Sequence, residues 1–200
     1  EAGIDVFKIE GRAKGPEYIH TVRKAYRTEI DLVKENKFNQ KEALILVKEL
    51  EKVFNRGFTT NFFLGTPTND SWTKFYGSSA TEKKIKVGKV INYYAKKGIA
   101  SIQIEQEPIN QGDKIFFSGP TTGYLESEIG EMWIHEKPAN KSKRGDEVTF
   151  EVKKKVRTSD TVYKIVKRDV NEEEENIKKQ YEKTGIHKPF KFLGKDKGMN

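Results

Sequence analysis

Residues 83–168 consist of short apolar or alternating runs, separated by turn-forming residues at nearly regular intervals. This pattern is typical of an antiparallel all-β domain. Six strands are predicted, which is enough for a small closed β-barrel. They lie at residues 86–94, 99–105, 114–117, 128–134, 147–152 and 161–167. Because Gly98 can adopt a positive φ, a hairpin turn is predicted at 95–98, between the first two strands.

The first 57 residues have a different pattern, which begins with a short strand and a helix. Apolar and polar residues alternate over 4–9, which favours a strand that ends at a turn over 10–12. A helix is predicted next, because Pro16 suits a first helical turn. Its apolar residues recur at three- and four-residue steps, which predicts a buried face. That face comprises Ile19, Val22, Tyr26, Ile30 and Val33.

A second helix is predicted to begin at Asn39, because Glu42 three residues later can complete a capping pair. Its apolar positions continue to a stop at Gly57, since glycine is favoured just beyond a helix C-terminus. These positions are Ala43, Leu46, Val47, Leu50, Val53 and Phe54. A single short strand gives the two helices no sheet of their own to cover, so we expect them to need a neighbouring structure.

The chain is therefore predicted to have an α+β fold with four parts. Residues 1–57 form the helical part, 58–82 a loop-rich connection, 83–170 the β domain, and 171–200 a charged tail with a short helix. The connection contains many aromatic residues, so we expect it to pack against other parts of the protein.

The composition argues against a disulfide-bonded protein, a thiolate-site protein and a membrane protein. The 200 residues contain no cysteine, which excludes disulfides and thiolate sites and is compatible with the cytoplasm, where we expect the protein. No apolar run approaches the roughly 20 residues that cross a bilayer, so no membrane partner is expected. The chain begins with neither a methionine nor a signal-peptide pattern, so we expect it to be a piece of a longer protein.

The charge of the chain permits a polyanionic partner. The formal net charge is +8, and residues 81–170 carry 18 Lys and Arg against 13 Asp and Glu. A polyanion would be attracted mainly to this middle segment, although an ordinary solvated surface is an equally good interpretation.

Candidate catalytic residues are few. Glu10, Arg12 and Lys14 form the only dense polar cluster directly after a predicted strand, where α/β proteins place catalytic groups. A salt-bridged turn is the alternative interpretation. The three histidines are far apart and lack partners at ligand spacing, so neither a metal nor a cofactor is expected. They are His20, His135 and His187.

Two segments of the β domain combine basic and aromatic residues, which could bind nucleic acid by phosphate contacts and base stacking. The candidate docking residues are Tyr94, Lys96, Lys97, Lys153, Lys155 and Arg157. Alternatively, the lysines form a rim that discourages pairing of exposed strand edges. The similar phrases QGDKIFF and RGDEVTF are interpreted as turn chemistry, because Asp bonds its own backbone and Gly supplies an unusual dihedral angle.

Several motifs of the N-terminal part occur together in one known family. They are FKIEGR at 7–12, PEY at 16–18, Val22, Tyr26 with Arg27, and RGFTT at 56–60. In order and spacing, this segment resembles the peptidase U-32 family, also described as collagenase-like proteases. Residues 83–168 are similar in pattern to that family's C-terminal β-barrel, itself like the second domain of translation elongation factors. Ala13, Gly15 and Asn61 depart from the residues common in the family.

The resemblance implies a catalytic TIM-like barrel, N-terminal to this region, with cysteines that this chain lacks. Residues 1–55 would be the last strand and closing helices of that barrel. Glu10, Arg12 and Lys14 would then face its active mouth. The β-barrel would be an accessory module that docks a protein substrate or RNA.

Three functions remain open. The first is a C-terminal, non-catalytic portion of a U-32 family peptidase. The second follows from family members that hydroxylate the wobble uridine of tRNA, with prephenate as oxygen source. The third is a self-sufficient hydrolase in which Glu10 activates water. We favour the first and expect this chain alone to be inactive.

Overall fold

A computed structural model of the chain describes residues 5–58, 65, 77–169 and 179. Within these residues, two α-helices precede eight β-strands, in agreement with the predicted α+β class. The helices are α1 (Pro16–Lys34) and α2 (Gln40–Glu51). The strands are β1 (Glu82–Tyr94), β2 (Ile99–Ile104), β3 (Lys114–Gly119), β4 (Gly123–Glu128), β5 (Met132–Ile134), β6 (Lys137–Ala139), β7 (Glu147–Glu151) and β8 (Thr161–Lys167). Apart from Lys179, which is helical, the predicted tail helix lies outside the described residues, as does most of the aromatic connection.

The predicted starts of both helices, at Pro16 and at Asn39, are confirmed. Pro16 lies in the first turn of α1, directly after the extended N-cap residue Gly15. At the start of α2, the Asn39 side chain accepts a hydrogen bond from the backbone N–H of Glu42 at 3.0 Å. This bond satisfies one of the N–H groups that a helix leaves unpaired at its N-terminus. Among the described residues, no helix is both long and apolar enough to cross a membrane.

Helix α2 ends at Glu51 and does not continue towards Gly57 as predicted. The Glu51 carbonyl accepts hydrogen bonds from the Thr81 N–H at 3.0 Å and from the Asn55 side-chain amide at 3.2 Å. The Asn55 N–H, which would bond to that carbonyl in a longer helix, donates to the Ser78 hydroxyl instead. The helix stops because residues just before β1 bond to its last backbone groups.

The strand predicted at 4–9 is wrong for the residues that the structure describes, 5–9, which are exposed and form no strand. An extended segment needs a neighbouring strand to satisfy its backbone groups, and no described strand lies beside this one. The segment packs beside α1 instead, where the ring centroids of Phe7 and Tyr26 are 5.9 Å apart.

The predicted buried face of α1 is only partly buried. Val22 is buried, as is Ala25, which the prediction did not include. Ile19, Tyr26 and Val33 are 44%, 41% and 39% exposed. In the described part of the chain, α2 and β4 supply most of the contacts to α1, so its outer apolar stripe has no covering layer.

The strands form one antiparallel sheet in the order β4-β3-β8-β1-β2-β7-β5-β6. Strands β4 and β6 lie at its two ends and do not pair with each other, so the sheet is not the closed barrel that was predicted. Its eight strands agree with a barrel of six or slightly more strands only in number. Strand β6 has three residues, and Pro138 at its centre has no N–H to donate to a further strand. The sheet therefore ends at β6.

The strand predicted at 128–134 is interrupted at 129–131, because Glu128 is the last residue of β4 and only 132–134 form β5. The rest of β4 and the whole of β6 were not predicted. Strand β4 pairs with β3, whereas β5 pairs with β7, where Met132 lies opposite Phe150. The break is required because the chain changes its pairing partner at this point.

Both ends of the sheet pack on one buried core, so the sheet curls strongly although hydrogen bonds do not close it. Leu125 of β4 and Ala139 of β6 both contact this core. Its fully buried members include Val87, Val90, Ile102, Ile104, Ile115, Phe117, Met132, Val148, Phe150 and Val162. Burial of each such side chain contributes about 1.5–3 kcal/mol, so this core is the main stabilising element of the sheet.

The helices meet the sheet on the opposite face of β3. Phe116 is 1% exposed but is not part of the core, because side chains alternate between the two faces of a strand. Its ring centroid lies 5.0 Å from that of Tyr163 and 4.9 Å from that of Tyr124. The His20 ring of α1 lies 4.6 Å from Tyr124. This aromatic cluster joins the first helix to the sheet.

Candidate functional site

The β1–β2 turn presents one aromatic side chain and two lysines to solvent. The Lys97 N–H donates to the Tyr94 carbonyl at 3.0 Å, and Gly98 has a φ of 66°, so the predicted hairpin turn is confirmed. Tyr94 is 47% exposed, and Lys96 and Lys97 are also exposed. All three side chains are therefore accessible at one end of the sheet.

A second basic segment, 153–157, follows β7 and lies beside this turn. The Val152 N–H donates to the Gly98 carbonyl at 2.8 Å, which joins the two segments. Val156 is fully buried in the core and anchors the second segment there. The exposed cations of the segment are Lys153, Lys154, Lys155 and Arg157. The fold thus brings together the two groups of docking residues that were predicted separately.

We refer to these exposed side chains as the basic surface. It comprises Tyr94, Lys96, Lys97, Lys153, Lys154, Lys155 and Arg157. Within the part of the chain that the structure describes, none of its cations forms an ion pair. Lysines elsewhere on the sheet do: Lys84 pairs with Glu17 at 2.8 Å, and Lys164 pairs with Asp113 at 2.7 Å. The positive charge of the basic surface is therefore available to an anionic partner.

Backbone hydrogen bonds fix the far end of the basic segment to β1. The Ser159 N–H donates to the Val90 carbonyl at 2.8 Å, and the Val90 N–H donates to the Asp160 carbonyl at 2.9 Å. With Val152 bonded to Gly98 at the other end, the segment is held at both ends. It is a loop that backbone hydrogen bonds attach to the sheet at both ends.

The buried carboxylate of Asp160 forms hydrogen bonds that hold this segment in place. Asp160 is 3% exposed, and its Oδ2 accepts hydrogen bonds from the Arg157 N–H at 2.8 Å and from the Thr122 hydroxyl of the β3–β4 turn. A buried carboxylate is costly unless donors satisfy it, so these two bonds stabilise the charge. Neither Asp160 nor Thr122 was among the predicted site residues, because their meeting depends on strand order rather than on spacing.

Among the residues that the structure describes, the turn formed by Asp160 occurs three times, each time directly before a strand. In each copy the aspartate side chain accepts a hydrogen bond from the backbone N–H three residues earlier. The pairs are Asp113 with Asn110 at 2.7 Å, Asp146 with Lys143 at 2.7 Å, and Asp160 with Arg157 at 2.8 Å. The residue before the aspartate has a φ of 85° for Gly112, 95° for Gly145 and 73° for Ser159. The interpretation of both Gly-Asp phrases as turns is confirmed, and the third copy was missed because serine replaces glycine.

The candidate catalytic residues lie together in the turn before α1, where the side chains of Glu10 and Lys14 each make one contact. The Glu10 carboxylate accepts a hydrogen bond from the backbone N–H of Arg12 at 2.9 Å. The Lys14 ammonium lies over the Phe54 ring, 3.1 Å from its centroid. Glu10 and Arg12 are exposed. These contacts give the turn a structural role, and its catalytic role stays a prediction.

The histidines do not form a common site in the described residues. Burial lowers the pKa of His20 in α1, although the nearby Glu126 carboxylate partly opposes this shift. His135 lies in the β5–β6 turn, and His187 lies outside the described residues. Among the residues that the structure describes, no group of three or more His, Asp or Glu side chains could hold a metal ion.

A cleft of about 1010 Å³ lies between the helices and the sheet. Charged groups of both signs line it, including Glu17, Lys84 and Glu126. The Tyr124 hydroxyl donates a hydrogen bond to the Glu126 carboxylate, and burial together with this bond raises the pKa of Tyr124. Because charges of both signs line the cleft, it attracts a polyanion less than the basic surface does.

The class of protein defined by this fold is an α+β protein with an incompletely covered helical layer and a curled antiparallel sheet. Residues 1–73, which include both helices and the turn at 10–14, match the model of Peptidase family U32. These residues are therefore similar to that family, and the resemblance that their motifs indicated is confirmed.

The chain is similar in sequence to relatives that have two different functional names, a collagenase and a tRNA hydroxylation protein. Over 169 residues, or 84% of the chain, it is 39% identical to a collagenase of Porphyromonas gingivalis and covers 41% of that protein. Over 137 residues, or 66% of the chain, it is 36% identical to tRNA hydroxylation protein P1 of Bacillus subtilis and covers 31% of that protein. The chain thus spans less than half the length of these relatives.

The chain is also similar to solved structures. One is the C-terminal domain of a Geobacillus thermoleovorans protein described as a U32 peptidase. The match covers 39% of this chain and 96% of that domain, with 22% sequence identity and a TM-score of 0.38.

Proposed function

We propose that this chain is the docking portion of a larger enzyme of the U32 family, and that its sheet binds RNA through the basic surface. The observation that carries the proposal is the meeting of two basic segments at one end of the sheet, where Val152 bonds to Gly98. Cations without ion pairs attract phosphates, and the exposed ring of Tyr94 offers a face on which a base can stack.

The position of the basic surface argues against a role in protecting strand edges. It lies at the ends of β1, β2 and β7, which are interior strands of the sheet. The outermost strands are β4 and β6, and they carry none of its residues. A lysine rim that prevents edge pairing would belong on those outer strands.

The similarity to a tRNA hydroxylation protein is in keeping with an RNA partner. In this proposal, the chemistry belongs to a catalytic domain in the remainder of the larger protein, and this chain positions the RNA. Modification of the wobble uridine of tRNA would be the reaction served.

We further propose that this catalytic domain covers the apolar side of the helices. Leu44 and Ile45 of α2 are 57% and 46% exposed, and Ile19 of α1 is 44% exposed. Exposed apolar clusters of this kind mark interaction surfaces. The extended segment 5–9 has no strand partner among the described residues, so a sheet of a TIM-like barrel would complete it. The turn at 10–14 would then lie at the mouth of that barrel.

Binding of an unmodified tRNA transcript to the 200-residue chain tests the RNA proposal. A complex is expected at low salt, with log K falling linearly as log salt rises, by about 0.7 to 0.9 for each phosphate contact. Absence of binding at low salt would contradict the proposal. Equal affinity and salt dependence for a DNA duplex would reduce it to general polyanion binding.

A second candidate function is the docking of a protein substrate, which the 39% identity to a collagenase over 169 residues favours. Gelatin retained by the chain in the absence of tRNA binding would support this candidate. Cleavage of gelatin by the chain alone, lost in a Glu10→Gln variant, would instead support the self-sufficient hydrolase. Equal rates of gelatin cleavage by the wild-type chain and the variant would show that Glu10 is not the catalytic base.

A further inference from the structure

We propose that Asp160 and Thr122 are positioning residues for RNA docking, because their hydrogen bond fixes the backbone that carries four of the seven residues of the basic surface. The inference rests on the proposed function and deepens it, since it names what holds the docking segment in shape. Asp160 is 3% exposed, so it acts through its neighbours and not by contact with RNA.

The geometry links two parts of the chain that are distant in sequence. The Thr122 hydroxyl and the Arg157 N–H both donate to the same carboxylate atom, Oδ2 of Asp160. A Cβ atom added to Gly119 would collide with the other carboxylate oxygen, so the end of β3 packs directly against Asp160. The carboxylate therefore ties the basic segment to the β3–β4 turn.

Electrostatics alone does not explain a carboxylate in this place. A negative charge beneath lysines and an arginine lowers the local positive potential and opposes phosphate binding. Asp160 shapes the turn before β8, as Asp113 and Asp146 do before β3 and β7, and its bond to Thr122 in addition ties the basic segment to the β3–β4 turn. A segment that is already ordered loses less conformational entropy when RNA binds. The Asp160 carboxylate thus weakens the attraction of the basic segment for phosphate, but it holds the backbone that carries Lys153, Lys155 and Arg157 in one arrangement.

The test compares Thr122→Val with Thr122→Ser in the full chain. The valine variant keeps the branched shape and the net charge but removes the hydroxyl donor, whereas the serine variant keeps the donor. We expect Thr122→Val to weaken binding of the tRNA transcript by about three- to tenfold, and Thr122→Ser to bind like wild type. Backbone amide exchange over 153–159 should be faster in Thr122→Val only.

A core variant, Ile102→Val, controls for general loss of stability, because Ile102 is fully buried and distant in the sheet order from the β3–β4 turn. It should bind tRNA as wild type does. Wild-type affinity or unchanged exchange in Thr122→Val would overturn the positioning role, as would equal weakening by Ile102→Val. If the wild-type chain itself fails to bind tRNA, the proposed function fails and this inference fails with it.

Discussion

The Val152 N–H donates to the Gly98 carbonyl at 2.8 Å, one step beyond the paired residues Ile99 and Glu151 of β2 and β7. This bond continues the ladder between the two strands and brings the turn before β2 next to the segment after β7. The basic surface is therefore a product of strand pairing. Its charge can be altered by mutation without disturbing the buried side chain of Val156, which anchors it.

Reversing two charges of the basic surface should weaken RNA binding. We expect the double substitution Lys153→Glu and Lys155→Glu to lower tRNA affinity by about tenfold or more at moderate salt. The slope of log K against log salt should become shallower by about 1.4 to 1.8, because two phosphate contacts are lost. Filter binding or fluorescence anisotropy at several salt concentrations measures both quantities.

A matched control lies at the other end of β2, where the Gly145 N–H bonds to the Ile104 carbonyl. The exposed Lys143 and Arg144 precede Gly145, and strand β2 separates them from the basic surface. Lys143→Glu with Arg144→Glu changes the net charge by the same amount. A loss of affinity equal to that of the first double variant would show that overall charge, and not the basic surface, governs binding.

Ser159 has a φ of 73°, which is unfavourable for a residue with a side chain. We expect Ser159→Gly to raise the free energy of unfolding by about 0.5–1 kcal/mol, after allowing for the greater freedom of glycine in the unfolded chain. Urea denaturation measures the change. The reverse substitution at the equivalent position, Gly145→Ser, should lower stability because that residue has a φ of 95°. A destabilised Ser159→Gly would mean that the serine side chain has a role of its own.

Gly88 lies in β1, where the sheet pairs it with Ile104 of β2 and with Val162 of β8. A Cβ atom at this position would collide with the backbone carbonyl of Gln103, which cannot move without disturbing the ladder. Gly88→Ala should therefore cost about 1–3 kcal/mol in unfolding free energy. Gly130→Ala is the control, because no atom lies within 4 Å of an added Cβ there. A loss of stability shared equally by both variants would contradict the steric explanation.

The features predicted from the sequence are those that a few neighbouring residues determine. Pro16 and Asn39 mark the helix starts, and Gly98 marks the hairpin turn, because each acts on its own backbone. The α+β fold class followed from equally local patterns, whereas the docking role of the two basic segments stays a prediction.

The features that were missed depend on which strands become neighbours. The break at 129–131 arises because the chain leaves β3 for β7, and the open ends of the sheet depend on its strand order. The bond between Thr122 and Asp160 likewise requires the β3–β4 turn to reach the segment before β8. Spacing along a single sequence does not contain this information.

His20 should make stability depend on pH. Burial lowers its pKa in the folded protein, and the Glu126 carboxylate opposes the shift only in part. As pH falls through the ordinary value of about 6.5, the unfolded chain takes up the proton first, so the folded state loses stability. The contribution of His20 is complete above that pH and is lost progressively until the lower pKa of the folded protein is passed. Urea denaturation between about pH 7.5 and 5.5 should show a larger decrease in wild type than in His20→Gln, and equal decreases would show that His20 does not titrate differently in the two states.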